Sequence, residues 1–354
     1  MTRITDLPER IAALPPEARA RMARLFHIDR VEGRCRIPDS MREWTRMQLG
    51  EIADVEQQQV VRVTNVVTWE GALYNPLRSK RPLHMRAAGA DPAAASDDIF
   101  AQPLRTTAED VFGRVRGAHC ITTGNIARWE GQCTVAIFDE PDPLAFTREQ
   151  LRDYLRVALA WARAAHVQDA EARYLMWMWN GGIKAGASIP HAHAQMGLGR
   201  RMHYARVEGL RRAALDYRTR HGVGYFTDWL AAHEDLGLCF DAAGLRGFAN
   251  LAATRNKDLA IFGAGFNDGL ADALHAVLRA LVDQSGSGAF NVAILAPPVF
   301  DGAAEDWRDF PTLVRIADRG SPAMLSSDIG ALDVFAHNTI ATDPFALVET
   351  LGLA

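Results

Sequence analysis

Apolar positions along this chain recur in two rhythms, one of three to four residues and one of two or fewer. Leu151, Leu155, Val157, Leu159, Trp161 and Ala165 give an apolar face to a predicted helix. Thr147, with Gln150 three residues on, has the spacing of a capping box at its start. A second helix is predicted over 269–284, where Leu270, Leu274, Val277, Leu278 and Leu281 share one side. Others are predicted over 200–220 and over 344–352, the latter capped by Asp343 with Pro344 in its first position. Residues 6–26 alternate charged and apolar side chains and are broken by Pro15-Pro16, which predicts two short helices forming a lid or an arm. Apolar and β-branched runs predict strands at 60–69, 131–138, 174–180, 259–262, 289–295 and 312–317. Small residues over 86–97 predict a loop. Strand–helix–strand order occurs twice, which predicts an α+β fold in two halves, 1–200 and 201–354. No sequence repeat marks the duplication.

Composition narrows the classes without choosing among them. A chain of 354 residues can bury one large core or two medium ones. Its 48% hydrophobic and 23% charged residues are those of a globular protein. A net charge of −4 gives no general attraction to nucleic acid or to an anionic membrane, so phosphate recognition must be local. Cys35, Cys120, Cys133 and Cys239 are scattered and form no Cys-x-x-Cys, which predicts reduced thiols and a cytoplasmic protein. The first residues carry no apolar signal segment, and no run is long enough to span a membrane.

The densest chemistry lies between 180 and 195. Pro190-His191-Ala192-His193-Ala194-Gln195 alternates so that, on a strand, His191, His193 and Gln195 face one way and the two alanines the other. Ahead of it runs Asn180-Gly181-Gly182-Ile183-Lys184-Ala185-Gly186-Ala187-Ser188, whose glycines let backbone N–H groups approach an anion. A phosphate-cradling loop leading to a strand with a histidine nucleophile fits phosphorus transfer. The plain alternative is a pair of strand histidines with satisfied nitrogens.

These residues, with the preceding Tyr174-Leu175-Met176-Trp177-Met178-Trp179, resemble the histidine-triad superfamily. Within it, the resemblance is to the branch of galactose-1-phosphate uridylyltransferases and dinucleoside polyphosphate phosphorylases, which carries His-x-His-x-Gln. It is densest from 111 to 198. It implies two histidine-triad-like halves built on antiparallel sheets, and a homodimer. It also implies a nucleotidyl intermediate on His193, with His191 orienting the loop and Gln195 donating to a phosphate oxygen. Asn180, Gly182, Lys184, Gly186 and Ser188 would bind phosphate, with Asn125 near the ribose and Arg78, Lys80 and Arg81 as further candidate phosphate contacts. Substrates would be a nucleotide sugar or dinucleoside polyphosphate and a phosphate or sugar-phosphate acceptor. Gln195 cannot shuttle a proton, which favours leaving groups that are already stable anions, and transfer over hydrolysis. The alternatives are a dinucleoside polyphosphate hydrolase and a non-catalytic nucleotide-binding protein.

Departures from the branch are specific. Many members hold zinc through an early Cys-x-x-Cys, a mid-chain histidine and the first motif histidine; here there is no such pair, and Asp139-Glu140-Pro141 follows Phe138. No structural zinc or other cofactor is expected, although His119 and Cys120 with His191 could improvise a site. Arg315 and Arg319 interrupt an apolar strand, either as sugar-phosphate contacts or, for Arg319, as a structural pair with Asp318. Trp177 and Trp179 read as core residues.

Overall fold

The computed structural model describes residues 3–80, 98–324 and 329–353. Arg81 and the loop expected over 86–97 lie outside the described residues. In chain order the strands are β1 (Phe26–Arg34), β2 (Gln57–Asn65), β3 (Gly71–Tyr74), β4 (Cys120–Gly124), β5 (Gln132–Phe138), β6 (Ala172–Gly181) and β7 (His193–Arg200). They continue as β8 (Cys239–Ala242), β9 (Leu245–Ala249), β10 (Leu259–Gly263), β11 (Phe290–Leu295), β12 (Thr312–Asp318) and β13 (His337–Ile340). Nine of them make one antiparallel sheet in the order β4-β5-β7-β6-β11-β12-β10-β9-β8. The other four form a smaller sheet, β1-β2-β3-β13, whose β3–β13 pair is parallel, unlike the antiparallel expectation.

The predicted helices supply one layer. Thr147 accepts from the Gln150 N–H while the Gln150 side chain accepts from the Thr147 N–H, and the helix Arg148–Gln168 follows. Its apolar side, with that of the helix Asp268–Arg279, buries the sheet face that carries Trp177, Trp179, Ala194, Met196, Phe290 and Val314. The two tryptophans are core, as expected.

On the opposite face the cover is uneven. A second core joins Phe248, Ala260 and Leu313 of the large sheet to Val61, Val63 and Tyr74 of the small one, with Tyr225, Phe226 and Trp229 of the helix Tyr225–Asp235 between. Toward β6 and β7 that face is half-buried at Met178, Asn180 and Gln195. The two cores leave a cleft over β7, β6 and β11.

Residues 6–26 do form two helices, Leu7–Ala13 and Pro16–Leu25, but they are neither lid nor arm. Leu7, Met22 and Leu25 are buried in the second core, and Arg24 pairs with Asp228 at 2.6 Å. The strand expected over 60–69 ends at Asn65, because the Asn65 carboxamide accepts from the N–H groups of Val67 and Thr68 and turns the chain. The helix expected from 200 starts at Ala205 and ends at His221, since β7 runs to Arg200. Leu25→Ala should lower unfolding stability by about 3 kcal/mol. A urea midpoint unchanged by that substitution would mean the amino-terminal helices are not part of the core.

Candidate active site

β7 begins at His193, and its alternation sends Ala194 into the first core and His193 and Gln195 to the cleft. His191 lies just ahead of the strand, yet both imidazoles meet the edge of Phe100, with ring centroids 6.0 Å and 5.2 Å away. Phe100 belongs to a small apolar cluster with Ile121, Val135 and Ile137 that closes one side of the cleft. Neither Phe100 nor its neighbour Asp98 stands out in the sequence, because they follow a stretch with no pattern.

Four buried histidines can be compared nitrogen by nitrogen. His203 Nδ1 accepts from the Tyr204 N–H at 2.8 Å, and its Nε2 donates to the Ala296 carbonyl at 3.1 Å. His233 Nδ1 donates to the Trp229 carbonyl at 2.7 Å, and its Nε2 accepts from the Leu251 N–H at 3.1 Å. His191 lies with Nδ1 at 2.8 Å from an Asp98 carboxylate oxygen and Nε2 at 2.8 Å from the Phe138 carbonyl. In His193, Nδ1 donates to the His191 carbonyl at 2.8 Å, and Nε2 has no partner among the described residues. That hydrogen bond selects the tautomer whose Nε2 carries a lone pair. Burial pushes the His193 pKa below its ordinary value, so the ring is neutral near pH 7. The site therefore holds one unprotonated, unengaged imidazole nitrogen.

His191 acts on β5 and on His193, not on the glycine loop as expected. Its ring is clamped between Asp98 and Phe138 while its own carbonyl receives the His193 proton donor. The Gln195 carboxamide is half-buried in the cleft, with no partner among the described residues.

The loop after β6 turns on Gly182 and Gly186, at φ 98° and 100°, values that suit glycine alone. Its backbone donors are more committed than the sequence suggests. The Gly182 N–H donates to the Asn180 carbonyl, Gly186 to Ile183 and Ala187 to Gly182. The exposed Ser188 keeps its N–H and hydroxyl without partners among the described residues. Lys184 Nζ donates to the Met324 carbonyl at 3.0 Å.

Asn180 stands one residue past the Trp179–Ala194 pair, beside His193, and directly opposite Asn291 of β11. Asn291 Nδ2 donates to Asn180 Oδ1 at 2.7 Å and to the Ala185 carbonyl at 2.8 Å. Arg319 donates to Asn291 Oδ1 at 2.6 Å. Asn291 was missed, although one amide inside the apolar run of β11 is a legible signal. Arg319 does not pair with Asp318, which instead meets Lys257 at 3.1 Å and the Ser287 hydroxyl. Arg315 is half-buried, 2.7 Å from Asp258 and 3.4 Å from Glu70.

Other candidates are not gathered here. Asn125 follows Gly124, which pairs with Thr134. That is three residues along β5 from Ile137, the partner of His193, or about 10 Å. Lys80 Nζ donates to the Leu49 carbonyl on the surface. The Cys120 thiol is buried toward Asp153, and its pKa is pushed up, chiefly by burial. Among the described residues no three His, Cys, Asp or Glu side chains come together as metal ligands. Among them, too, no helix is long and apolar enough to cross a membrane.

No family model matches the chain, and no curated protein matches it in sequence. Solved structures do. An ADP-glucose phosphorylase from Arabidopsis thaliana with bound ADP-glucose aligns over 80% of this chain and 95% of that one, with a TM-score of 0.58 and 17% identity. A GalT-like protein from the same plant aligns over 82% and 98%, with a TM-score of 0.59 and 16% identity. A uridylyltransferase aligns over 82% and 97%, with a TM-score of 0.57 and 15% identity. The chain shares the fold of these three structures. At these identities the likeness is one of architecture, helices packed on a largely antiparallel sheet.

Burial holds the pKa of His203 and of His233 down to about 4, and that of His193 below its ordinary value. An unfolded chain binds these protons near pH 6.5 and the folded chain resists them, so stability falls as pH drops from 6.5 toward 4. Each of the two most shifted rings contributes about 3 kcal/mol to that loss. Urea midpoints measured across this window should fall, and fall less steeply in His203→Gln. A flat profile between pH 6.5 and 4.5 would contradict the assignment.

Proposed function

We propose that this protein is a nucleotidyltransferase that works through a nucleotidyl-His193 intermediate. The observation that carries the reading is the unengaged Nε2 of a buried, neutral imidazole whose Nδ1 is tied to a backbone carbonyl. A neutral imidazole is a competent nucleophile toward phosphorus. In the first step, the Nε2 lone pair forms a P–N bond to the α-phosphorus, and the bond to the leaving phosphate oxygen breaks with its electron pair. In the second, an acceptor phosphate oxygen attacks the same phosphorus and the P–N bond returns its electrons to Nε2.

Gln195 would donate to a phosphate oxygen and, having no acidic proton, would suit leaving groups that depart as anions. The Ser188 hydroxyl and N–H, with the Asn180 amide, would hold further oxygens. Lys184, Arg319 and Asn291 would brace the loop that carries Ser188. In this reading residues 1–200 form the reacting half and 201–354 the supporting half of a subunit in a cytoplasmic homodimer. The substrate class is a nucleotide sugar or dinucleoside polyphosphate, with phosphate or a sugar phosphate as acceptor. The shared architecture with an ADP-glucose phosphorylase and a uridylyltransferase supports this choice.

Incubation with ADP-glucose or UDP-glucose carrying an α-phosphorus label should leave acid-labile, base-stable label on the protein, discharged by phosphate or a sugar phosphate. His193→Ala should take no label. Gln195→Ala should slow transfer about 10²–10³-fold, the usual cost of one donor to developing charge. Turnover in water alone would make the protein a hydrolase, and tight binding without label a non-catalytic one.

Asp98 acts on the reaction only through His191. Asp98→Asn should lower kcat about tenfold or more with little change in KM, because the carbonyl that holds His193 loses its brace. Asp98→Glu should restore part of the rate; a KM effect alone would assign Asp98 to substrate binding.

A further inference from the structure

The sheet face that bears the cleft carries a second concavity. Gln195, Met178, Ala293 and Arg315 stand opposite one another in turn on β7, β6, β11 and β12, which puts Arg315 about 14 Å from Gln195. There a cavity of 1180 Å³ opens between β11–β12, the turn over 66–70 and the helix Ala205–His221. Pockets for small molecules run to about 300–1,000 Å³, so a nucleotide-sized ligand fits.

Strand order accounts for its position. The first half contributes β4-β5-β7-β6 and the second β9-β10-β12-β11, and they meet at β6–β11. β12 thus stands in the second half where β7 stands in the first. The cavity is the second half's counterpart of the cleft at His193. On that face β12 bears Leu313 and Arg315 where β7 bears His193, while His221 lines the cavity from the helix.

The lining specifies a ligand. Arg206, Arg212 and Arg220 come from one side of the helix, and their side chains are about two-thirds exposed. Each gives one or two N–H donors to a carboxylate, Glu70, Glu208 and Asp216 in turn, and guanidinium has five. The remaining donors suit phosphate. Val67, Leu210 and Trp229 make an apolar wall, in which the Trp229 Nε1–H is buried without a partner among the described residues. At the mouth, Trp69 is 67% exposed and sits at φ 61°, a left-handed conformation that bulky residues rarely adopt. An exposed indole, an apolar wall and a guanidinium rim match a heterocyclic base joined to a phosphate.

We propose that this cavity binds a nucleoside phosphate, separately from the site at His193. Gly209 lies on the cavity side of the helix, and a Cβ there would meet nothing within 4 Å. Gly209→Trp therefore places an indole in the cavity while the helix keeps its contacts. Fluorescent mant-ADP titrated into the full chain should occupy two sites in the wild type and one in Gly209→Trp. His193→Ala should retain the cavity site. Arg206→Glu with Arg212→Glu provides the same comparison if the tryptophan variant does not fold. Equal stoichiometry in wild type and folded variants overturns the proposal. One site in the wild type and none in Gly209→Trp would keep the cavity and sink the reading of His193; one in both would do the reverse.

Discussion

The pairing of β6 with β11 is the constraint on which this molecule is built. Six residue pairs, Met176–Leu295 through Gly181–Phe290, join the two halves into one sheet. Because the seam is antiparallel, the far half presents Asn291 directly beside Asn180, at the root of the glycine loop. The loop is thereby braced from the other half, through Asn291 and Arg319, and not by its own strand alone. Neither half could hold the candidate site in this form by itself.

The cleft exists because the two cores cover the sheet unequally. One face is sealed along its length by two long helices. The other is covered toward β9 and β10 by the small sheet and the helix Tyr225–Asp235, and toward β4 and β5 by the Phe100 cluster. What remains over β7 and β6 is lined by polar or slender side chains: His193, Gln195, Met178 and Asn180. At that boundary burial is enough to keep the His193 imidazole neutral.

Much of this was legible in the residues. The long helix after Thr147 declared itself by cap and period, and the motif strand by its alternation around Ala192 and Ala194. The strands that were missed, β1, β3, β4, β8, β9 and β13, are short or carry charges on both faces, so they show no period. The role of His191 could not be read either, since it depends on Asp98 and Phe138, which come close only through tertiary packing. Arg319 was noticed but given the wrong partner. Adjacent charges suggest a pair, whereas successive strand residues point to opposite faces, and Asp318 follows the core-facing side.

The acceptor that holds His193 in its tautomer is a main-chain oxygen. Every amino acid at position 191 would present the same carbonyl, so no point mutation deletes that acceptor; a neighbour can only displace it. Lineages descended from such a protein are free to exchange the groups around the ring, including whatever stabilises the preceding residue, and still inherit the same tautomeric preference. Under selection, the imidazole itself would then be the slowest position to drift.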